Sequence, residues 1–413
     1  MEITVERVAN GGWCVGRHEG RVVFVRHALP GERVRVKVTE ETAKFLRADA
    51  VEILQPSPDR VAPPCPYAGP GACGGCDWQH ASLEAQRRLK AQVVAEQLSR
   101  LAGIDREVTV EEVPGAPDGL GWRTRVQFAA RRNGVIGLRR HRSHEVEPID
   151  ACLIAHPEVE AVGAESQNWR GAASVEVIAS SGGDRAVVVA PEGRREVVMP
   201  ALDAPAAVLV AHGRGRTEAV RGSEVLRERV GERTFEVTGS GFWQVHPGAP
   251  ATLVEAVMDF ARPRPGEWAL DLYCGVGLFA AELAQAVGPE GGVLGVESEA
   301  ATVEDARRNL RDLPWAEVER GRVENALDRH GIERADLVVV DPPRSGLGRE
   351  VVDRVARLEA TRIVYVSCDP ATLARDIAWF AGHGYELSEL RAFDAFPMTA
   401  HVECVALLTR PSR

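Results

Sequence analysis

Two stretches late in the chain carry residues suited to covalent chemistry. Tyr365-Val-Ser-Cys-Asp-Pro-Ala-Thr372 sets Cys368 just past an apolar run that reads as a strand, and Phe396-Pro-Met-Thr-Ala-His-Val-Glu403 sets Glu403 at the opening of the last strand. A lone cysteine is usually a buried small hydrophobe, and a lone glutamate a surface residue. A thiol here, however, answers a specific need. Carbon 5 of uracil is a poor nucleophile, and adding a thiolate to carbon 6 makes an enolate whose carbon 5 can attack a sulfonium methyl. A base must then remove the carbon-5 proton so that elimination frees the thiol. Cys368 is the candidate nucleophile and Glu403 the candidate base.

A methyl donor needs its own site. Asp271-Leu-Tyr-Cys-Gly-Val-Gly-Leu-Phe279 follows a strand and opens a helix. Gly275 and Gly277 let the backbone pass close under a ligand, and the helix N-terminus offers free N–H groups. Glu297 ends the next strand, where a carboxylate accepts both hydroxyls of a ribose. The same loop fits a dinucleotide fingerprint, Gly275-x-Gly277-x-x-Ala280, so by itself it leaves NAD and S-adenosylmethionine open. Asp341-Pro-Pro-Arg-Ser-Gly346, at the C-terminal end of a further strand, decides for S-adenosylmethionine. A rigid turn presenting carbonyls and a carboxylate suits a methyltransferase acting on a nucleobase, and a dehydrogenase has no need of it.

Cys65, Cys73 and Cys76 form C-x7-C-x2-C, and Cys152 lies far downstream. Four thiolates close a zinc site or a [4Fe–4S] cluster. The spacing leans to zinc, while Cys73-Gly-Gly-Cys76 followed by Trp78 leans to iron–sulfur. Nothing else in the chain reads as secreted, so its eight cysteines are expected to be reduced, buried, metal-bound or catalytic.

The elements that must position these residues divide the 413-residue chain into two or three domains. Residues 1–54 read as short strands: in Arg33-Val-Arg-Val-Lys-Val38 the valines take one face and the basic residues the other, which suits a small barrel. Prolines 56, 58, 63, 64 and 66 mark a boundary. Ser82 to Leu101 is predicted to be a helix, capped by Ser82, with Leu83, Leu89, Val93, Val94, Gln97 and Leu98 as its stripe. Residues 107–238 read as β-rich, with turns at Asn133-Gly134 and Gly182-Gly183. From 250 onward helices alternate with apolar strands at 268–272, 293–297, 337–340, 363–366 and 402–408, the pattern of a doubly wound α/β sheet.

The net charge is −10, which argues weakly against a nucleic-acid partner, yet seven arginines and no carboxylate lie between Gly121 and His144. Such a stripe can hold phosphates on an acidic protein. Alternation from Trp122 to Phe128 places Arg123 and Arg125 on one strand face as the foremost RNA contacts. Lysine occurs three times, at 37, 44 and 90, a bias read as genomic base composition. No stretch approaches the roughly 18 apolar residues of a membrane span, and the opening residues do not read as a leader, so a cytoplasmic location is expected.

Together these motifs resemble the RNA 5-methyluridine methyltransferases, and among them the 23S ribosomal RNA enzymes with an N-terminal TRAM domain. The resemblance covers nearly the whole chain; Gly16, Val22-Val-Phe-Val25 and Ala28-Leu-Pro-Gly-Glu32 carry its TRAM part. It implies a Rossmann-like methyltransferase domain, an OB-like barrel and a β-rich central domain. It implies S-adenosylmethionine bound by Gln244 (in Gly241-Phe-Trp-Gln-Val-His246), Tyr273, Glu297 and Asp341, with Cys368 as nucleophile and Glu403 as base. It implies a [4Fe–4S] cluster on Cys65, Cys73, Cys76 and Cys152, although seven residues separate the first two where five are usual. His246, Leu278 and Asp369 stand where asparagines are common. The implied division is 1–54 for TRAM, 55–81 with 104–240 for the central domain, and 82–103 with 241–413 for the methyltransferase, acting as a monomer on RNA, with tRNA as the other substrate. Amino-methyltransferases, with Asp-Pro-Pro-Tyr and no nucleophile, leave Cys368 unexplained; a pure RNA-binding or electron-transfer protein has no use for residues 266–346.

Overall fold

The computed structural model describes residues 1–213, 216–239 and 241–410. Strands Glu2–Val8, Cys14–His18, Arg21–Arg26, Arg33–Glu41 and Phe45–Gln55 close into a barrel. Its interior is filled by Ile3, Val5, Val23, Val25, Val34, Val36, Leu46 and Ala48, so the alternation of small β-branched residues builds a core from short strands.

Helix Leu83–Gln97 starts at Ser82, whose hydroxyl accepts from Ala85 N at 3.3 Å. It runs on through a π-helical turn, Leu98–Ala102, and stops at Gly103 in the left-handed conformation. Val94 and Leu98 join a core with the C-terminal sheet, while Ala85, Leu89 and Val93 pack with Val8 and Leu29 of the barrel and with Trp78. Leu83 is only half-buried, and the helix also buries Gln86 and Lys90, two polar residues outside the expected stripe.

The central part is a seven-stranded sheet ordered Thr217–Arg221, Ala207–Ala211, Arg185–Pro191, Ala172–Ala179, Arg125–Ala130, Ile136–Arg139 and Val146–Pro148. Trp122, Phe128 and Trp169 fill the core on it.

The C-terminal sheet has eight strands, ordered Ala316–Arg320, Gly292–Glu297, Trp268–Leu272, Leu337–Val340, Arg362–Ser367, Glu403–Thr409, Glu386–Asp394 and Val110–Glu112. The first five run parallel and Glu403–Thr409 is antiparallel to its two neighbours. Ala316–Arg320 and Glu386–Asp394 carry too few apolar residues to read as strands in the sequence, as befits the outer part of a sheet. Val110–Glu112 pairs with Glu386–Asp394 rather than with the central sheet. The hairpin of Val225–Val230 and Arg233–Thr238 likewise buries Val230, Phe235 and Val237 in a core of the C-terminal sheet. Both segments, expected with the central domain, thus pack with the C-terminal sheet. No helix among the described residues is long and apolar enough to cross a membrane.

Candidate active site

The loop after strand Trp268–Leu272 turns through three left-handed positions: Tyr273 (φ +65°), Gly275 (+54°) and Gly277 (+89°). Gly277 is the N-cap of helix Leu278–Val287, so the turn aims free N–H groups at the sheet edge. A tyrosine held at positive φ costs about 1–3 kcal/mol and persists only where its surroundings fix it. Glu297 ends the neighbouring strand, and its Oε1 accepts from Ser298 N at 2.6 Å and Glu299 N at 2.8 Å. Asp341 ends the strand on the other side, with its N–H on Leu272 O at 3.2 Å.

Beneath this edge lies Asp271, a residue the sequence reading does not single out. It is fully buried, and neither carboxylate oxygen has a well-formed hydrogen bond within the protein. Burial, reinforced by Asp341 and Glu297, pushes its carboxyl up to about 8, and burial raises that of Asp341 to about 7. Three carboxyls that lack a cationic partner suit a cationic ligand. S-adenosylmethionine, with a sulfonium and an ammonium, fits this donor set.

Residues 241–246 are irregular and are gripped from the central sheet. Thr124 donates to Val245 O from both N (2.8 Å) and Oγ1 (3.0 Å), and Arg125 Nη1 donates to Gly241 O at 2.6 Å. Trp243 packs on Phe235, in the core that also holds Cys274 and Val276 of the cofactor loop. Gln244 is buried beside it. His246 is buried, stacks on Trp122 and accepts from Gly248 N at 3.1 Å through Nδ1. Burial lowers its pKa to about 4, so the ring is neutral. An asparagine side chain can accept that bond equally, which accounts for the exchange.

Ser367 pairs with Cys404 across antiparallel strands, so Cys368 and Glu403 occupy the next positions outward. Asp369 caps helix Pro370–Ala381, accepting from Ala371 N (3.0 Å) and Thr372 N (2.8 Å) through Oδ1. Aspartate and asparagine serve alike at an N-cap. Burial raises the Cys368 thiol to about 11; the Glu403 charge adds to this and Arg344 opposes it. Glu403 is buried and lies well above the usual carboxylate range, again through burial, then Asp341, with Arg344 opposing. Arg344 comes from the Asp-Pro-Pro-Arg turn, and its Nη2 lies 3.4 Å from His401 Nε2. A thiol, a carboxyl and the Arg344 guanidinium that opposes the effect of burial on both therefore converge beside the carboxylate-lined loop.

Residues 223–411 match the tRNA (uracil-5-)-methyltransferase family, and residues 1–51 match the TRAM domain. An uncharacterized RNA methyltransferase of Streptomyces coelicolor is 54% identical, covering 98% of this chain and 92% of that protein. One from Bifidobacterium longum is 40% identical, over 99% of this chain and 96% of its own length. The chain belongs to the tRNA (uracil-5-)-methyltransferase family. The solved tRNA (uracil-54, C5)-methyltransferase of Pyrococcus abyssi, in complex with S-adenosyl-L-homocysteine, superposes on this RNA methyltransferase with a TM-score of 0.74 at 26% identity, covering 99% of this chain and 100% of that one.

The methyltransferase brings Cys65, Cys73, Cys76 and Cys152 around one cavity of about 410 Å³, walled by Phe128, Leu138 and Ile154. Burial raises the thiols of Cys76 and Cys152 to about 12 and about 11, so thiolates there need a cation. Among the described residues no group of three or more His, Cys, Asp or Glu is set to hold a metal ion.

The arginine stripe is corrected by the structure. The strand begins only at Arg125, and its guanidinium turns inward: Arg125 is buried, tied to Gly241 and facing Glu176 and Glu228. Arg123 is half-buried, donates from Nε to Arg125 O at 3.0 Å and lines the cysteine cavity. Arg140 is paired with Glu145 and Glu147. The arginines exposed on this segment are Arg131, Arg132, Arg139 and Arg142.

Proposed function

We propose that this enzyme converts a uridine of 23S ribosomal RNA to 5-methyluridine with S-adenosylmethionine as methyl donor, through a covalent bond between Cys368 and carbon 6 of the base. The observation that carries this reading is the juxtaposition of Cys368 and Glu403 at adjoining strand ends, with Arg344 acting on both. Deprotonated Cys368 adds to carbon 6, and the resulting enolate takes the methyl group at carbon 5, leaving S-adenosylhomocysteine. Glu403, as carboxylate, removes the carbon-5 proton, and the electrons of that bond expel the Cys368 thiolate. Gln244, Tyr273, Gly275, Gly277, Glu297 and Asp341 hold the donor, and Asp271 adds its charge. A cation bound beside Asp341 opposes the effect of burial on Cys368 and Glu403 and shifts both toward their charged, reactive forms.

Fluorine at carbon 5 cannot leave as a proton does, so RNA carrying 5-fluorouridine should trap a protein–RNA bond that survives denaturation. A substrate RNA that forms no such adduct overturns the covalent route. Ribosomal RNA is favoured because a TRAM barrel joined to a four-cysteine loop is the pattern of the ribosomal enzymes. The full-length likeness to an enzyme named for tRNA position 54 favours tRNA as the second reading. Mapping 5-methyluridine in both RNAs from cells lacking the gene separates the two.

The four cysteines are proposed to hold a [4Fe–4S] cluster. Protein purified without oxygen should be brown and carry about four iron and four sulfide. One tightly bound zinc in colourless protein overturns this.

A further inference from the structure

Glu403 is reached through a segment, 395–402, that belongs to no strand or helix. Such a segment does not fix a catalytic side chain by itself, and this one contains a strained residue: Met398 has φ +67°. A left-handed non-glycine residue persists only where neighbours over-determine it. Its neighbours come from two places. Helix Leu83–Gln97 supplies Gln86, whose Oε1 accepts from Met398 N at 2.7 Å, and Lys90, which pairs with Asp394 and donates to Phe396 O at 3.0 Å. The second source is the pair that follows the last cysteine of the C-x2-C motif. Asp77 N and Trp78 N both donate to Met398 O at 3.0 Å, and Ala400 N donates to Asp77 Oδ2 at 3.1 Å.

The same two residues reach the barrel. Trp78 is fully buried, and its indole N–H donates to Gly12 O at 3.2 Å. A Cβ on Gly12 would lie 3.0 Å from both Asp77 Cγ and Ala400 Cβ, so barrel, cysteine loop and base-bearing segment touch at one point. Arg26 of the barrel stands 3.8 Å from Asp77, too far for a hydrogen bond, whereas the Ala400 bond is formed. Asp77 Oδ1 thus answers the Arg26 charge by an ion pair, while the carboxylate's hydrogen bond, through Oδ2, goes to the segment that leads to Glu403.

We propose that Asp77 is a positioning residue for the catalytic base: its carboxylate holds the Ala400 N–H, and with it the 398–403 segment, so that Glu403 faces the carbon-5 proton of the base bound to Cys368. This rests on the covalent mechanism proposed above. A loosened segment leaves Cys368, on another strand, and the donor loop in place. Attack and methyl transfer therefore continue, and proton removal slows.

The test compares full-length wild type, Asp77→Ala, Asp77→Asn and Glu403→Gln on total RNA from cells lacking the gene. Donor affinity, turnover, metal content and the amount of denaturation-resistant enzyme–RNA adduct at steady state are measured together. Asp77→Ala is expected to accumulate methylated adduct as Glu403→Gln does, and to lose roughly 100-fold in turnover, the cost of displacing a catalytic group by about an ångström. Donor affinity is expected to stay as in the wild type. Asp77→Asn, which keeps an acceptor oxygen for Ala400 N, is expected to restore release. If Asp77→Ala does not fold, Asp77→Ser, whose hydroxyl falls one atom short, carries the same expectation. Adduct accumulating in Glu403→Gln but not in the Asp77 variants overturns the inference alone, as does an Asp77→Asn as slow as Asp77→Ala. No accumulation in Glu403→Gln overturns the covalent reading and the inference with it.

Discussion

Cys368 and Glu403 stand opposite one another at the ends of neighbouring antiparallel strands, one step beyond the pair Ser367 and Cys404. The antiparallel strand Glu403–Thr409 brings this about. In an all-parallel sheet both groups would leave the same edge on successive strands, and a start of strand could not meet an end. Here the carboxyl end of Arg362–Ser367 meets the amino end of Glu403–Thr409, and the Glu403 charge adds to the burial that keeps the Cys368 thiol protonated.

Alkylation of Cys368 should therefore run to unusually high pH. The thiolate reacts, and a thiol raised to about 11 is protonated at pH 7 to a greater degree than an ordinary one near 9. Its rate with iodoacetamide, followed by mass spectrometry of the Cys368 peptide, should rise roughly tenfold per pH unit and continue past pH 9. Arg344→Ala removes the charge that opposes the rise and should slow the reaction at any pH below the plateau. S-adenosylmethionine should speed it relative to S-adenosylhomocysteine, which lacks the sulfonium. A plateau near pH 8 in the free enzyme would show that Cys368 is not desolvated as described.

Glu403→Gln keeps the shape of the side chain and cannot take a proton. Methyl transfer should outrun elimination, with turnover falling by roughly 10²–10⁴-fold, the usual worth of a general base, while covalent enzyme–RNA accumulates. A variant that turns over normally would assign the proton to another group.

The candidate nucleophile and base could be picked out in the sequence because each sits at a strand end in a short motif whose proposed chemistry is local, and the structure sets the two strand ends side by side. Cys368, Asp341 and Glu297 lie where apolar runs stop, and periodicity finds those points. Asp271 escaped because a carboxylate inside an apolar strand gives no outward sign of lacking a partner. Val110–Glu112 and the Val225–Thr238 hairpin were assigned to the wrong neighbour because alternation reveals a strand and says nothing of which sheet it joins. Arg125 was misread for a related reason. Alternation tells which residues share a face only where a strand is continuous, and this one starts at Arg125 itself.

Loss of a carboxylate at the donor loop should be read in affinity before rate. Glu297→Gln removes charge from a group placed to accept ribose hydroxyls. A hydrogen bond to a charged group is worth about 1.5–3 kcal/mol, so donor affinity measured by calorimetry should fall roughly 10–100-fold. Asp271→Asn removes a buried carboxyl that a bound cation would favour in its charged form, and should weaken S-adenosylmethionine more than S-adenosylhomocysteine. Equal losses for both ligands would remove the electrostatic role given to Asp271.

The arginines of 121–144 should now separate into two classes. Arg125 is buried, with Nη1 on Gly241 O and its charge answered by Glu176 and Glu228. Removing it strands two half-compensated carboxylates and frees the segment that carries Gln244. Losing the charge-assisted bond to Gly241 O costs about 1.5–3 kcal/mol, so Arg125→Ala should lower the melting temperature and weaken donor binding. Arg131, Arg132 and Arg139 are exposed, and carboxylates are absent from the run that bears them. Replacing these three with alanine should leave stability and donor affinity unchanged. It should reduce the slope of log affinity for RNA against log salt by about 2–3, since each phosphate contact contributes a little under one. Fluorescence anisotropy across a salt series and a thermal melt decide the matter. A triple variant with an unchanged salt slope would move the phosphate-binding surface off this hairpin. An Arg125→Ala that melts normally and binds donor normally would undo the link between the central sheet and the cofactor site.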